Sequence, residues 1–239
     1  MGKAHQTEVA LNRNTEVFSP ENFKLIEEIM YETKVAAGTH LYWEGDAADK
    51  LFFLKRGGVQ ITKSNDEGKL FILYMHLTGD LFGQLDGLSG SAHSMNAEVT
   101  EDSVICHILN KDLEVLMWQH GSLAVEFMKW MGMMHRMTQT KLRDLMMFGK
   151  SGALCSTLIR LSNTYGTPRG DATYITKKLT NSELADMIGA TRESVNRMLS
   201  DLKRDDIIEQ ENGYLIIHNL QALREMCQCE NCPVNICRI

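Results

Sequence analysis

At 239 residues the chain is long for one domain and comfortable for two. Its net charge of −6 excludes a protein that holds nucleic acid by bulk charge, though not one with a local basic surface. No stretch approaches the roughly 18 apolar residues of a membrane span, and Met1 to Ser19 lack the apolar centre of a signal peptide. The sequence therefore reads as soluble and cytoplasmic, where thiols stay reduced and a cysteine cluster points to metal or redox chemistry rather than disulfides.

Residues 1–20 read as a flexible N-terminus. SPENFKLIEEIMYE follows, with Ser19 as helix N-cap and Phe23, Ile26, Ile29 and Met30 on one face. Within residues 21–110, short apolar runs (HLYW, LFFL, VQIT, LFILYM, SVICHIL) alternate with turn clusters (EGDAAD, KRGG, SNDEG, LTGD). Many short strands with glycine-bearing turns predict a β-roll. Residues 111–149 are crowded with Met, Leu and Trp. Trp130, Met137 and Asp144 fall seven apart, and Phe127, Met131, Met134, Leu145 and Phe148 fill neighbouring positions. A helix so apolar around its circumference needs a partner, which predicts a dimerisation helix.

Residues 150–226 predict a second, helix-rich unit. SGALCSTLIRLSNTYG is an amphipathic helix and GTPRGD a turn. TNSE, residues 180–183, matches a capping box. Gly189 supplies a sharp turn, and a second helix from about Thr191 to Lys203 turns Val195, Met198, Leu199 and Leu202 inward. Two helices joined by a Gly turn form a helix-turn-helix. Arg192, Glu193, Asn196 and Arg197 share the outward face at the start of the second helix, where a recognition helix meets the major groove. Arginine can donate twice to guanine, and glutamate can accept from the cytosine amino group. Residues 189–204 hold four basic and two acidic side chains, so this face is locally positive. IIEQENGYLII reads as a wing hairpin turning at Asn212-Gly213.

A β-roll, a long helix and a winged helix-turn-helix carrying TRESVNR together resemble the CRP/FNR family of transcription regulators over about residues 20–225. The resemblance implies an α+β fold and a homodimer that binds double-stranded DNA and works with RNA polymerase. Arg192, Glu193 and Arg197 match the R-E-x-x-x-R pattern of the cyclic-AMP receptor branch, which implies a TGTGA-type half-site. Asn196 stands where the FNR branch has Ser.

Cyclic-nucleotide members present Glu after Phe-Gly and Arg-Ser/Thr about ten residues on. Here LFGQLDGLSGSAHSMN has Gln84 in the first place and no arginine in the second. A buried phosphate without a cation is unfavourable, so no cyclic nucleotide is expected, and Gln84 and His93 read as ordinary roll residues.

Four cysteines crowd the tail, residues 227–239. Cys229, Cys232 and Cys237 make C-x2-C-x4-C, with Cys227 just before. Thiolates at this spacing suit an iron–sulfur cluster, zinc or copper(I). The FNR branch of Gram-positive bacilli resembles this arrangement, which implies one [4Fe–4S] cluster per subunit. The fourth ligand is left between Cys227, a carboxylate, and a water or small thiol. Asp144, the one acidic residue between Phe127 and Lys150, is the carboxylate candidate, with a salt bridge to Lys141 or Arg143 of either chain, or plain solvent exposure, as its competing role. Cys106 and Cys155, in apolar surroundings, read as core.

The expectation is an oxygen-responsive regulator of anaerobic genes. The alternative is a cyclic-nucleotide-type regulator with a structural zinc tail. No nucleophile–base pair or Gly-rich phosphate loop supports an enzyme.

Overall fold

The apolar runs and glycine turns of the first half fold into a six-stranded antiparallel sheet. Its strands are β1 (Tyr31–Val35), β2 (His40–Tyr42), β3 (Lys50–Ser64), β4 (Leu70–Leu77), β5 (Leu81–Gly83) and β6 (Asn96–Leu109). The order is β1-β6-β3-β4, with β2 on β6 and β5 on β3. The computed structural model describes residues 13–85 and 91–239. They form two compact units that divide between Thr138 and Gln139.

LFFL and VQIT, expected as two strands around a KRGG turn, are one strand, β3. It crosses that segment with repeated register shifts against β6. Gly57 sits at φ +111°, where a Cβ would collide with the Ser103 side chain. The bulge thus replaces a turn because the neighbouring strand comes so close.

Helix α1 (Pro20–Glu27) starts where expected, with Ser19 Oγ accepting from Asn22 N at 3.3 Å. Residues 1–12 lie outside the described residues, but 13–19 are not loose. Asn14 is buried, donates from N to Asp80 and from Nδ2 to the Leu81 carbonyl, and accepts from Leu81 N at 2.7 Å. Phe18 joins Ile26, Leu51, Leu81, Ile108, Phe127 and Trp130 in the core of this unit.

The helix expected over 111–149 is interrupted. Helix α2 (Asn110–Gln119) ends at His120, whose φ −127° and ψ 83° are not helical, and α3 (Gly121–Tyr165) begins next to it. Phe127, Trp130 and Met137, assigned to a dimer stripe, are buried within the single chain. These three therefore face their own chain, while Met131 of the same expected stripe stays exposed. Val125, Met128, Met131, Leu142 and Met146 remain exposed on another face of α3.

Helix α3 breaks at Gly149, with φ 60° and ψ −163°. That region of backbone space is essentially reserved for glycine. Past the break α3 carries Cys155, Leu158 and Leu161, all buried. A four-stranded sheet follows, made of β7 (Gly166–Arg169), β8 (Ala172–Ile175), β9 (Ile208–Glu211) and β10 (Tyr214–Ile217) in the order β7-β8-β10-β9. GTPRGD, read as a turn, is part of the hairpin of β7 and β8, with Gly170 at φ 63°. Helices α4 (Asn181–Ile188), α5 (Arg192–Arg204) and α6 (Leu220–Met226) complete this unit.

Candidate functional site

Two sites lie in the second unit, and local chemistry builds each. At the start of α4, Thr180 Oγ1 accepts from Glu183 N at 3.1 Å, and Glu183 accepts in return from Thr180 N at 2.7 Å. This reciprocal cap satisfies helix-end donors that would otherwise be orphaned, and is worth about 1 kcal/mol. Gly189 ends α4 in the left-handed conformation, φ 62°. Thr191 then caps α5, whose Val195, Leu199 and Leu202 are buried. Arg192, Glu193, Asn196 and Arg197 are all exposed on the opposite side. Asn196 accepts from Asn181 Nδ2, which orients its amide from the preceding helix. The wing, β9 (Ile208–Glu211) and β10 (Tyr214–Ile217), turns at Asn212 (φ 52°) and Gly213 (φ 86°). Two consecutive positive φ angles are what a tight hairpin turn of this kind requires.

The second site is assembled from both ends of this unit. Cys227, Cys229, Cys232 and Cys237 line one narrow pocket together with Asp144, Arg143, Ser156 and Arg160, with a cavity of about 20 Å³. Among the described residues, no three His, Cys, Asp or Glu side chains gather closely enough to hold a single metal ion.

The tail reaches this position through specific backbone contacts. Helix α6 ends at Cys227, and Cys229 N donates to the Arg224 carbonyl at 2.8 Å. Gln228 and Asn231 both take positive φ, 43° and 52°, which is uncommon for residues other than glycine. The Pro233 carbonyl accepts from Ile236 N and Cys237 N, both at 2.9 Å, closing a turn before the last cysteine. Asn163 Nδ2 donates to the Cys237 carbonyl at 2.7 Å, and Ile239 N donates to Thr164 Oγ1 at 3.2 Å. Ile236 and Ile239 are buried.

Asp144 is 4% exposed. One carboxylate oxygen accepts from Arg143 Nη1 at 2.9 Å, and the other accepts from Arg160 Nη2 at 2.7 Å and from the Ser156 hydroxyl. The ion pair with Arg143 is thus present alongside Asp144's place at the pocket, and Arg160 adds a second. The sequence reading missed Arg160 and Ser156. They lie 16 and 12 positions from Asp144, beyond a glycine break, where helical periodicity carries no information. Burial pushes the Lys141 amine down to about 7, with repulsion from Arg160 and Arg238 adding to it. This corner is therefore rich in cations.

The thiols differ. Cys227 is buried, and burial pushes it up to about 11, with the neighbouring Cys229 and Asp144 adding to the effect. Its Sγ–H faces the Arg224 carbonyl at 3.7 Å. Cys229, Cys232 and Cys237 are half-buried. Cys155 is buried and pushed up to about 12, chiefly by burial, and Cys106 is buried in the roll, so both sit in cores.

In the roll, Gln84 Oε1 accepts from Ser94 N at 3.3 Å. His93 stacks on Tyr42 with ring centroids 3.5 Å apart. Both line a pocket with Tyr74, His76 and Phe82.

Comparison with known proteins agrees with this architecture. Residues 32–120 match the cyclic nucleotide-binding domain family and residues 152–226 the Crp-like helix-turn-helix domain family. An anaerobic regulatory protein of Bacillus subtilis is 40% identical over 228 residues, 95% of this chain and 96% of that one. The fumarate and nitrate reduction regulatory protein of Vibrio cholerae is 23% identical over 84% of this chain and 80% of its own. Among solved structures, FixK2 from Bradyrhizobium japonicum superposes with a TM-score of 0.71 at 20% identity, covering 83% of this chain and 97% of that one. With a roll, a long helix and a winged helix-turn-helix in this order, the chain belongs to the CRP/FNR family of transcription regulators.

Proposed function

We propose that this regulator responds to oxygen. It binds TGTGA-type palindromic DNA as a homodimer while one [4Fe–4S] cluster per subunit occupies the cysteine pocket, and it controls anaerobic genes through RNA polymerase. The observation that carries this reading is the gathering of four tail thiols and a buried carboxylate around one pocket. The donor set fits the group: thiolates are the usual ligands of iron–sulfur clusters, and Arg143 and Arg160 beside them offset anionic charge. Cys229, Cys232 and Cys237 are three of the ligands. Asp144 is the fourth, because Cys227 alone of the four tail cysteines is buried and turns its Sγ–H to the Arg224 carbonyl.

When bound, the cluster supplies iron–thiolate bonds that oxygen destroys. The chain does the rest. Arg143 grips the tail from the part of α3 before Gly149, and Asn163 and Thr164 grip it from the part after. A tail held at both places fixes the angle at the glycine. A loosened tail frees it, and with it the helix-turn-helix. Two recognition helices reach successive half-sites only when held about 34 Å apart. A few kcal/mol between the two arrangements is enough for such a switch.

No cyclic nucleotide takes part in this reading. Gln84 is engaged with Ser94, and residues 84–96 supply no arginine for a phosphate.

The test is the absorption spectrum and the iron and sulfide content of anaerobically purified protein, followed by air and by titration of a TGTGA palindrome. A brown protein that bleaches in air and loses the palindrome supports the reading. A colourless zinc protein, or unchanged affinity after bleaching, refutes it. Asp144→Ala should lose the colour and Cys227→Ser keep it, and the reverse pattern would exchange their roles.

A further inference from the structure

We propose that Arg143 is the positioning residue of the cysteine pocket: its guanidinium sets the register of the Cys229 loop against Asp144. This rests on the cluster reading above, since it assigns Arg143 a purpose at that site.

Three contacts of one side chain carry the inference. Nη1 donates to Asp144 Oδ1 at 2.9 Å, Nη2 donates to the Gln228 carbonyl at 2.8 Å, and Nε meets Glu230 Oε1 at 3.1 Å. The planar fork therefore touches the carboxylate and both residues that flank Cys229. The guanidinium also lies over the Phe148 ring, 5.0 Å from its centre, which limits where it can swing.

Charge compensation of Asp144 is a separate matter, because Arg160 already pairs with it at 2.7 Å from a fully buried position. What Arg143 adds is the link to the tail. Gln228 and Asn231, on either side of Cys229 and Glu230, hold left-handed backbone that no glycine relieves. Such a loop persists only where its surroundings over-determine it. The bond to the Gln228 carbonyl is one of the restraints available, and the Glu230 pair is another. Lysine could reach one of these acceptors but not all three, since an ammonium is a point donor.

The experiment uses the full-length protein, freed of metal and fully reduced, with alkylation of each cysteine by iodoacetamide followed by mass spectrometry. Arg143→Ala should speed modification of Cys229 and Cys232 about tenfold, the equivalent of one charge-assisted hydrogen bond. Cys237, anchored by Asn163, and buried Cys155 should keep their native rates. Arg143→Lys should behave like Arg143→Ala, and Asn163→Ala should raise Cys237 alone. Unchanged rates in Arg143→Ala, or an equal rise at every cysteine including Cys155, would overturn the proposal, as would full rescue by lysine. Glu230→Ala, a substitution at an exposed residue, covers the case in which Arg143→Ala fails to fold. It should raise Cys229 by about twofold, the effect of one weak exposed pair, and no change at Cys229 counts against the proposal.

A second arm reconstitutes the same variants with iron and sulfide and follows bleaching in air. Faster bleaching in Arg143→Ala than in Asn163→Ala supports the assignment, and equal bleaching counts against it. If the native chain itself takes up no cluster, the cluster reading falls, and the alkylation pattern alone decides whether Arg143 sets the loop.

Discussion

Arg143 and Arg160 meet the same carboxylate but stand in different solvent. The Arg160 side chain is 5% exposed and that of Arg143 is 26%. Breaking a buried pair by removing one partner costs about 3–5 kcal/mol, because a desolvated charge is left behind. Arg143 and Ser156 still donate to Asp144 when Arg160 is gone, so Arg160→Ala should lie near the lower figure in urea unfolding of the cluster-free protein. Arg143→Ala should cost about 1 kcal/mol or less, as partly exposed pairs do. Equal losses would mean that Arg143 is structural rather than a local strap. A histidine in the roll gives a pH signature. His93 is buried against Tyr42, and burial holds its imidazole below the ordinary histidine range. Above about pH 6.5 the ring is neutral whether folded or unfolded, and it adds no pH dependence. As pH falls below that value the unfolded chain takes up the proton first, so the folded state loses stability until the lowered folded value is passed. His93→Phe should remove this component, so the difference in unfolding free energy between variant and native chain should change between pH 7 and pH 5. A constant difference would sink the assignment. Asp144 was legible as a candidate because it is a lone charge on an apolar stripe. Its partner Arg160 was not, because their contact depends on how α3 bends at Gly149.

Elements governed by neighbours in sequence could be read directly, and those governed by distant contacts could not. The Thr180–Glu183 box, the Gly189 turn and the Asn212-Gly213 hairpin each carry their cause within four residues, and each stands in the structure as expected. The β7–β8 hairpin and the continuous strand β3 were misread as turns. In the second case the cause is the approach of Ser103, 46 positions from Gly57. Helix α6 was missed because a seven-residue helix with one cap, Asn219, gives little periodicity. Helix α5 yields the next expectation. Arg197 is exposed on the face that carries Arg192 and Glu193. If it reads a guanine, Arg197→Ala should weaken binding to a TGTGA palindrome by about 1–3 kcal/mol and relax the preference at that base pair. Lys203, which donates to Gln210 in the wing at 2.8 Å, should affect all sequences alike when replaced. A uniform loss from Arg197→Ala would make it a phosphate contact instead.

For the whole molecule, a hydrophobic pattern alone does not say which face of the long helix packs on its own chain and which is left over. The stripe of Phe127, Trp130 and Met137 looked like a dimer seam, yet it is buried within the chain. The face left over holds Met128 at 63% exposure, Met131 at 43%, Leu142 at 58% and Met146 at 74%. Their spacings of three, eleven and four bring all four to one side of a helix with 3.6 residues per turn. Burying such a side chain is worth about 1.5–3 kcal/mol. Two copies related by a twofold axis would gain at least about 10 kcal/mol, enough to exceed the lower estimates for the cost of association. A glutamate at Met146 in both copies would place like charges at the seam. Met146→Glu should therefore weaken association by about a hundredfold or more, since an unpaired buried charge costs several kcal/mol. Sedimentation at micromolar protein measures this. Met147→Glu is the control. Met147 is 71% exposed but lies about 100° around the helix, off the proposed seam. A monomeric Met146→Glu beside a dimeric Met147→Glu locates the interface on this face. If both variants remain dimers, the exposed methionines are not the seam, and the two-half-site geometry of DNA binding must be supported from elsewhere in the chain.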